Sequence, residues 1–383
     1  MISVAEITTE AGFATLADEW GGLAAHCAGA TVFSTFPWLH NWWRVYGDGR
    51  ELRIVVARGD GGELVGAAAL CARPRRLMGR TVGWALEPLG GGVSDYVGFL
   101  LAQGREDQVC VELMSAFKRY GHGWALELSE VPQTMAAAGA VESCARSLGY
   151  CVQREDASGC PYLALPESWD DCLAKLGARL RKHVPYYIRR LLEGDGCRLQ
   201  LVATEQERAA AMEALARLHE MRWATKAGRG NWIDPRFAEF HDRVSRALLA
   251  EGRLRLFVLH HGAAPVAALY AFRYGDTYYY YQGGFDPAWG QRSVGTAMIG
   301  LAVKTAIEEG AREFDFMRGR SEYKERWTTA VRRNSRLEVW PNRWARAAWR
   351  SAALVRRLAA AARTRCAART SPILCGRRRE REV

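Results

Sequence analysis

Apolar and polar positions along this chain fall into blocks whose period changes from two to about 3.6 and back. Leu52 to Ala57 and Leu64 to Leu70 are apolar runs joined through Gly59-Asp60-Gly61-Gly62, the pattern of a strand hairpin. In contrast, Met212, Leu215, Leu218 and Met221 recur at three- and four-residue steps and predict one face of a helix over 205–224. Phe237, Phe240, Val244, Ala247 and Leu248 do the same for 235–251. Read in this way, the first half gives a strand at 2–7, a helix at 11–27 and a helix entered at Ser34 or Thr35 with Pro37 in its first turn. The hairpin, a helix at 107–120, a strand at 124–129, a helix at 134–148 and strands at 150–154 and 161–166 follow. The second half gives a strand at 198–203, the two helices, and strands at 254–260 and 265–274. An aromatic strand from Tyr278, a helix ending near Glu309, and strands at 313–317 and 335–340 complete it. The same order of elements occurs twice, which predicts an α/β (α+β) fold made by internal duplication, each copy a mixed central sheet flanked by helices.

Length agrees with two domains, since 383 residues exceed one typical unit. The expected division is 1–166, a basic linker helix over 167–197, a second domain over 198–340 and a tail from 341. With 49% hydrophobic and 25% charged residues the composition is that of a soluble globular protein with material for two cores. No run of about 18 apolar residues is present. The first residues lack a secretory-signal pattern, so a cytoplasmic protein is expected. Ten scattered cysteines form no Cys-x-x-Cys and no zinc spacing; reduced, mostly buried thiols and no metal are expected.

The net charge of +11 is misleading as an average. From Pro341 onward twelve arginines face two glutamates, so the tail holds ten of those eleven charges and the body is nearly neutral. Nucleic acid is therefore not an expected partner of the body, unless a tRNA is the donor. Arg343, Arg346, Arg350 and Arg357 share a helical face opposite Trp344, Ala348, Ala352, Val355 and Ala359. Two readings stay open: an amphipathic helix lying peripherally on the inner, anionic membrane face, or a solvated basic tail.

The stretch richest in chemistry runs from Tyr278 to Trp327. Tyr278-Tyr279-Tyr280-Tyr281-Gln282 leads through Gly283-Gly284-Phe285-Asp286-Pro287 into Arg292-Ser293-Val294-Gly295-Thr296-Ala297, which opens a helix. A helix N-terminus offers unpaired N–H groups and partial positive charge to an anion. Gly295 lets a ligand approach the backbone and Arg292 adds a cation, so a phosphate-bearing ligand is indicated.

The spacing of Arg292, Gly295 and Ala297 resembles the Arg/Gln-x-x-Gly-x-Gly/Ala turn of GNAT-superfamily acyltransferases. Gly284-Phe285-Asp286-Pro287 before it, and Phe314-Asp315-Phe316-Met317-Arg318-Gly319 with Glu322-Tyr323-Lys324 and Trp327 after it, resemble the CelD/BcsL-type branch. That branch is linked to cellulose and exopolysaccharide synthesis and is distantly Fem-like; the likeness spans roughly residues 30 to 340. It implies tandem GNAT-like domains and an acyl-CoA-dependent N-acyltransferase acting on a sugar, a polysaccharide precursor or a related metabolite. Acetyl-CoA or another acyl-CoA would be the co-substrate, held by Gln282, Gly283, Phe285 and the 292–297 turn. Catalysis would fall to Tyr323 as proton donor, Glu322 or Asp315 as general base and Lys324 at the developing oxyanion. Asp95, Tyr96, Arg318 and Trp327 are the expected acceptor contacts, and the loop from Lys226 to Asn231 is expected to flank the site.

Several residues keep a structural reading beside the functional one. Trp38 and Trp42 form either core or a sugar-stacking platform. Asp315 with Arg318 and Glu322 with Arg326 are either site residues or ion pairs. The basic run Arg179, Arg181, Lys182, His183, Arg189 and Arg190, expected to break at Pro185, is either a phosphate-facing surface or a solvated linker. Arg73-Pro74-Arg75-Arg76 reads as a solvated turn. His219, His241, His260 and His261 show no metal or triad spacing. A Fem-type aminoacyl-tRNA transferase and a non-catalytic synthase subunit are the competing functions.

Overall fold

The computed structural model describes residues 1–77, 80–224, 230–319, 321–328 and 330–352. The first half runs β1 (Ser3–Ile7), α1 (Glu10–Ala14), α2 (Ala17–Ala25), α3 (Phe36–Tyr46), β2 (Glu51–Arg58), β3 (Leu64–Leu77), β4 (Arg80–Pro88) and β5 (Leu100–Leu101). It continues through α4 (Glu106–Ser115), β6 (Trp124–Pro132), α5 (Ala136–Ser147) and β7 (Cys151–Ala164). Two linking helices, α6 (Trp169–Lys175) and α7 (Ala178–Arg189), lead to β8 (Cys197–Leu201), α8 (Glu205–Ala224) and α9 (Pro235–Ala250). Then come β9 (Leu254–His261), β10 (Ala264–Tyr274), β11 (Thr277–Phe285), α10 (Val294–Glu308), β12 (Glu313–Asp315), α11 (Glu322–Trp327) and β13 (Ala330–Trp340).

These strands form one continuous sheet in the order β1-β2-β3-β4-β6-β13-β7-β12-β11-β10-β9-β8, with β5 added to β3. Its two parallel pairings, β4 with β6 and β11 with β12, occupy equivalent places in the two halves, and each has a helix, α4 or α10, in its crossover. Three apolar clusters cover it: α4 and α5 on the first half, α6, α7 and α10 on the second, and α1, α2, α3, α8 and α9 together across both. Trp38 belongs to this shared core, edge-on to Phe240 and Phe272, with its indole N–H donated to Ser94 Oγ at 2.9 Å. Trp42 is buried likewise, so the sugar-platform reading is closed.

Several expected elements differ from those observed. The last strand is not confined to the second half: β13 lies between β6 and β7 of the first, while β7 gives its far end to β12 of the second. The halves thus exchange strands, and a second domain closed at 198–340 is corrected accordingly. The two short strands at 150–154 and 161–166 are one strand, β7, long enough to serve both sheets. Arg73 to Arg76 continue β3 rather than turning, because Arg73 meets Glu87 and Arg75 meets Glu127 across neighbouring strands. The basic stretch breaks at Leu176-Gly177, where the chain turns extended, and α7 runs on through Pro185. The expected helix at 11–27 divides at Thr15-Leu16. Of the tail, only its start is described: 343–352 is helical and lies on the first half, with Arg346 and Arg350 on Gln153, Arg75 over the Trp349 ring, and Trp344 71% exposed. The rest of the tail, and residues 225–229 of the loop from Lys226, lie outside the described residues. Among the described residues no helix is long and apolar enough to cross a membrane, and the eight described cysteines are free.

A buried polar knot ties the halves at the strand exchange. Asp315, fully buried at the end of β12, accepts from Tyr96 Oη at 2.6 Å, from Arg332 Nη1 at 2.8 Å and from the Met317 N–H at 2.7 Å. Burial pushes its carboxyl up to about 6, against the opposing pull of Tyr96 and Arg332. With a folded value above the unfolded one, this carboxyl stabilises the fold most at low pH, and that contribution is lost as pH rises through about 6. Removing Arg332 leaves the charge unpaired. Arg332→Leu is expected to lower unfolding free energy by about 3–5 kcal/mol at pH 8 and by less at pH 5, where Asp315 is protonated. Urea melts at the two pH values check this; an equal loss at both would show that Asp315 does not carry the charge.

Gly284 on β11 sets how close α8 lies to the sheet. A Cβ there would fall 2.3 Å from the His219 backbone nitrogen and 2.5 Å from the Leu218 carbonyl carbon, and neither atom can swing aside. Gly284→Ala is expected to cost about 1–3 kcal/mol by overpacking, read as a lowered urea midpoint. An unchanged midpoint would mean that helix and strand are not held this tightly.

Candidate active site

β11 runs from Thr277 to Phe285, but β12 pairs with it only at Thr277, Tyr278 and Tyr279. Beyond Tyr279 the two parallel strands part, and β11 keeps only its β10 neighbour. The register with β10 slips at Tyr281, a bulge of the kind that re-aims side chains beside functional sites. A cleft opens where the strands part. One lobe, of about 240 Å³, lies against the start of α10 and is lined by Gly283, Gly284, Phe285, Ser293, Gly295 and Thr296 among others. The second, of about 380 Å³, lies toward the turn after β12 and is lined by His219, Gln282, Arg318, Ser321 and Lys324 among others. Arg222, Tyr280, Gly283 and Tyr323 border both lobes, so a group passing from one to the other crosses there.

The first lobe is built from backbone. Ser293 takes the left-handed conformation (φ 55°, ψ 34°) just ahead of α10, and its carbonyl accepts from the Thr296 and Ala297 N–H groups at 3.0 and 3.1 Å. The preceding N–H groups, at Val294 and Gly295, have no backbone acceptor among the described residues, as expected for a first helical turn. A Cβ on Gly295 would stand 3.3 Å from the Phe285 ring, so glycine keeps this wall open. Trp327, Met298 and Ile299 supply the apolar side. Of the expected carrier-binding residues, Gly283, Phe285, Ser293, Gly295 and Thr296 line this lobe, while Gln282 lines the other. Val294 and Ala297 point into the core, both 0% exposed. Arg292 is displaced from the expected role: it lies 3.3 Å from Asp195 Oδ2 and stacks on Trp289.

The second lobe is walled by residues of the second half and braced from behind by the first. Met317, at φ 63°, reverses the chain after β12 with its N–H fixed by Asp315, which presents Arg318 to the cleft. Arg318 pairs with Asp95 at 2.7 Å and donates its backbone N–H to the same carboxylate at 3.0 Å. Its Nη2 reaches Gly92 O at 3.1 Å, and Tyr281 Oη donates to Val93 O at 2.8 Å. The first-half loop that holds Gly92, Val93 and Asp95 therefore backs the second half's cleft. Lys324 Nζ donates to Arg318 O at 2.9 Å and Met317 O at 3.3 Å; burial pulls its ammonium below the ordinary value, and Asp95 opposes this.

Four expected site residues sit elsewhere. Asp315 is enclosed in the polar knot, away from either lobe, and Tyr96 lies beside it. Glu322 is 83% exposed and pairs with Arg326 one turn on, the structural reading of that pair. Asp95 does not line the cleft but holds Arg318, and Trp327 walls the first lobe rather than the second. Tyr323, by contrast, stands at the junction. Burial and the neighbouring Tyr280 raise its phenol well above the ordinary value, so it keeps its proton. Arg222, Trp223, Tyr280 and Ser321 are not assigned to the site by the sequence, and His219, read there as an ordinary residue, lines the second lobe. His219 is held neutral by burial and accepts from the Trp223 indole at 2.9 Å. Arg222 donates to Gly283 O at 3.3 Å and lies over the Phe285 ring. The helical stripe of α8 predicts its buried face, but which residues at its end meet the cleft depends on the Gly284 contact, which no local pattern encodes.

Comparison with known proteins bears on this geometry. Residues 178–325 match the family model described as an acetyltransferase (GNAT) domain. No curated protein matches the chain in sequence. Among solved structures, FemX superposes with a TM-score of 0.62 at 13% identity, covering 88% of this chain and 96% of that one. The C-terminal domain of a putative lysylphosphatidylglycerol synthetase from Agrobacterium fabrum gives 0.52 at 9% identity (85% and 92% covered). L-PGS from Bacillus licheniformis gives 0.52 at 10% (89% and 95%). At such identities these likenesses speak for the fold alone. The parted strands and the open helix start both lie within residues 178–325, the segment that matches the acetyltransferase (GNAT) domain, and the protein is an acyltransferase.

Proposed function

We propose that this protein transfers an acetyl or other acyl group from CoA to an amino group of a sugar, a polysaccharide precursor or a related metabolite. The observation that carries the reading is the two-lobed cleft pinched at Gly283 and Tyr323, one lobe made of backbone at a helix start and the other lined by polar side chains. The α10 start suits a diphosphate, and the parted edge of β11 offers peptide groups to the arm of the carrier. The amine enters from the polar lobe and attacks directly, since among the described residues neither cysteine nor serine borders both lobes. Tyr323, which holds its phenolic proton, donates it to the departing sulfur and regains one from the nitrogen, which sheds a proton as the amide forms; Lys324 and Arg222 face the charge that develops. Asp315 and Glu322 are not assigned as bases.

A second reading, an aminoacyl-tRNA donor and a cell-wall precursor as in Fem-type enzymes, draws on one observation. Arg292 is engaged by Asp195, while the exposed face of α7 presents Arg179, Lys182, Arg189 and Arg190 with Tyr186 49% exposed. One structural neighbour is described as a putative lysylphosphatidylglycerol synthetase. The neutral body and the backbone-lined lobe favour CoA.

Calorimetry with CoA and acetyl-CoA decides between them. The wild-type protein is expected to bind both, and Gly295→Glu, which puts a carboxylate at the helix start, to bind neither; no wild-type binding at millimolar ligand would move the assignment to the second reading. Tyr323→Phe is expected to leave CoA affinity unchanged and to slow turnover by about 10²–10⁴-fold, the usual contribution of a positioned acid. Undiminished turnover in that variant would remove Tyr323 from the mechanism.

A further inference from the structure

The polar lobe has a chemical bias that the acyl-transfer reading does not require. Its charged lining consists of Arg222, Arg318 and Lys324, with no carboxylate among the described residues. The carboxylates that balance these cations stand behind them. Asp95 keeps 9% of its side chain exposed against 37% for the Arg318 it holds, and Glu130, 3.9 Å from Arg318, keeps 16%. Asp315, which also acts on Lys324, is fully buried. Cations in front of buried anions give a concave wall a positive face, and such a wall concentrates an anion. Each side chain is also fixed, Arg318 on Asp95 and Gly92, Lys324 on two carbonyls and Arg222 on Gly283 O, so little ordering accompanies binding.

The same lobe contains an unsatisfied acceptor. Gln282 Oε1 is buried with no hydrogen-bond partner among the described residues, just past the Tyr281 bulge. A buried amide oxygen left unpaired costs free energy; this one belongs to a residue that lines the polar lobe, as do the unpaired His219 Nδ1 and Ser321 Oγ, so a bound molecule is placed to supply its donor. Resting on the acyl-transfer reading, we propose that the acceptor carries an anionic group, a phosphate or a carboxylate, beside its nucleophilic amine. The anion faces Arg318, Lys324 and Arg222, and Gln282 Oε1 accepts from an N–H or O–H of the acceptor. A neutral amino sugar or a free polymer amine would use the second contact and forgo the first. The acceptor is thus a charged precursor such as an amino-sugar phosphate or a carboxylated amino sugar.

Calorimetry on the full-length protein saturated with CoA tests this with three probes: glucosamine, glucosamine 6-phosphate and muramic acid. At least one charged sugar is expected to bind about tenfold or more tightly than glucosamine, the scale of one charge-assisted hydrogen bond, and which one separates phosphate from carboxylate. Gln282→Leu is expected to weaken the amino sugars alike and leave CoA affinity intact. Arg318→Ala exposes Asp95 and risks the fold, so Ser321→Glu serves as the charge test: it sets a carboxylate into the lobe and is expected to abolish the preference. The proposal is overturned if glucosamine binds as tightly as both charged sugars, if none of the three binds to a protein that binds CoA, or if Ser321→Glu keeps the preference. A protein that fails to bind CoA overturns the donor assignment instead, and this inference with it.

Discussion

Everything at the site follows from the parting of β11 and β12 after Tyr279. Parallel strands in a sheet normally stay paired, because an unpaired N–H or C=O away from water is costly. Here β12 is only three residues long and its other edge is taken by β7, so it has no length with which to follow β11 further. The freed edge of β11 is left to face a cleft, and α10, starting beyond it, closes one end with its own unpaired N–H groups. A lobe made of peptide groups is what remains when two strands diverge and a helix begins between them.

The polar lobe depends on both halves, although its lining comes from the second. Asp95 and the carbonyls of Gly92 and Val93 come from a loop of the first half, yet they fix Arg318 and Tyr281 of the second. The loop is itself held from behind, since Asn334 on β13 donates to Asp95 O and Trp38 to Ser94 Oγ. The first half therefore positions residues of the polar lobe without lining either lobe. Its own counterpart of α10, the helix α4, opens with Glu106 and Asp107, which repel an anion where α10 opens with Val294 and Gly295.

The elements of this fold are legible in the sequence where periodicity is strong. The 205–224 helix is observed with those limits, and the aromatic strand from Tyr278 and the helix after it stand where the pattern puts them. The pattern misleads where charge is taken for exposure: Arg73 and Arg75 lie in a strand because glutamates on neighbouring strands meet them. It also misleads where chemistry is assigned by residue type. Asp315, Glu322 and Tyr323 follow one another closely, but one is sealed in a knot, one faces water and only the third reaches the cleft. The identity of a residue names what it can do; the bulge at Tyr281, the left-handed Met317 and the glycine under α8 decide whether it is in place, and these are long-range facts. His219 and Arg222 became visible only through that last contact.

The exchange of β7 and β13 has a consequence for how the chain is made. A protein synthesised from its N-terminus usually completes early domains before later ones emerge. This one is unable to, because the gap between β6 and β7 is filled by residues 330–340, among the last of the described chain to leave the ribosome. Until then the nascent first half has two open strand edges, which are templates for wrong pairing, and it must find a partner some two hundred residues away in sequence. The exchange ties the two halves to each other: the sheet of each is completed by a strand of the other, and the gap in the first closes with the arrival of a single late strand.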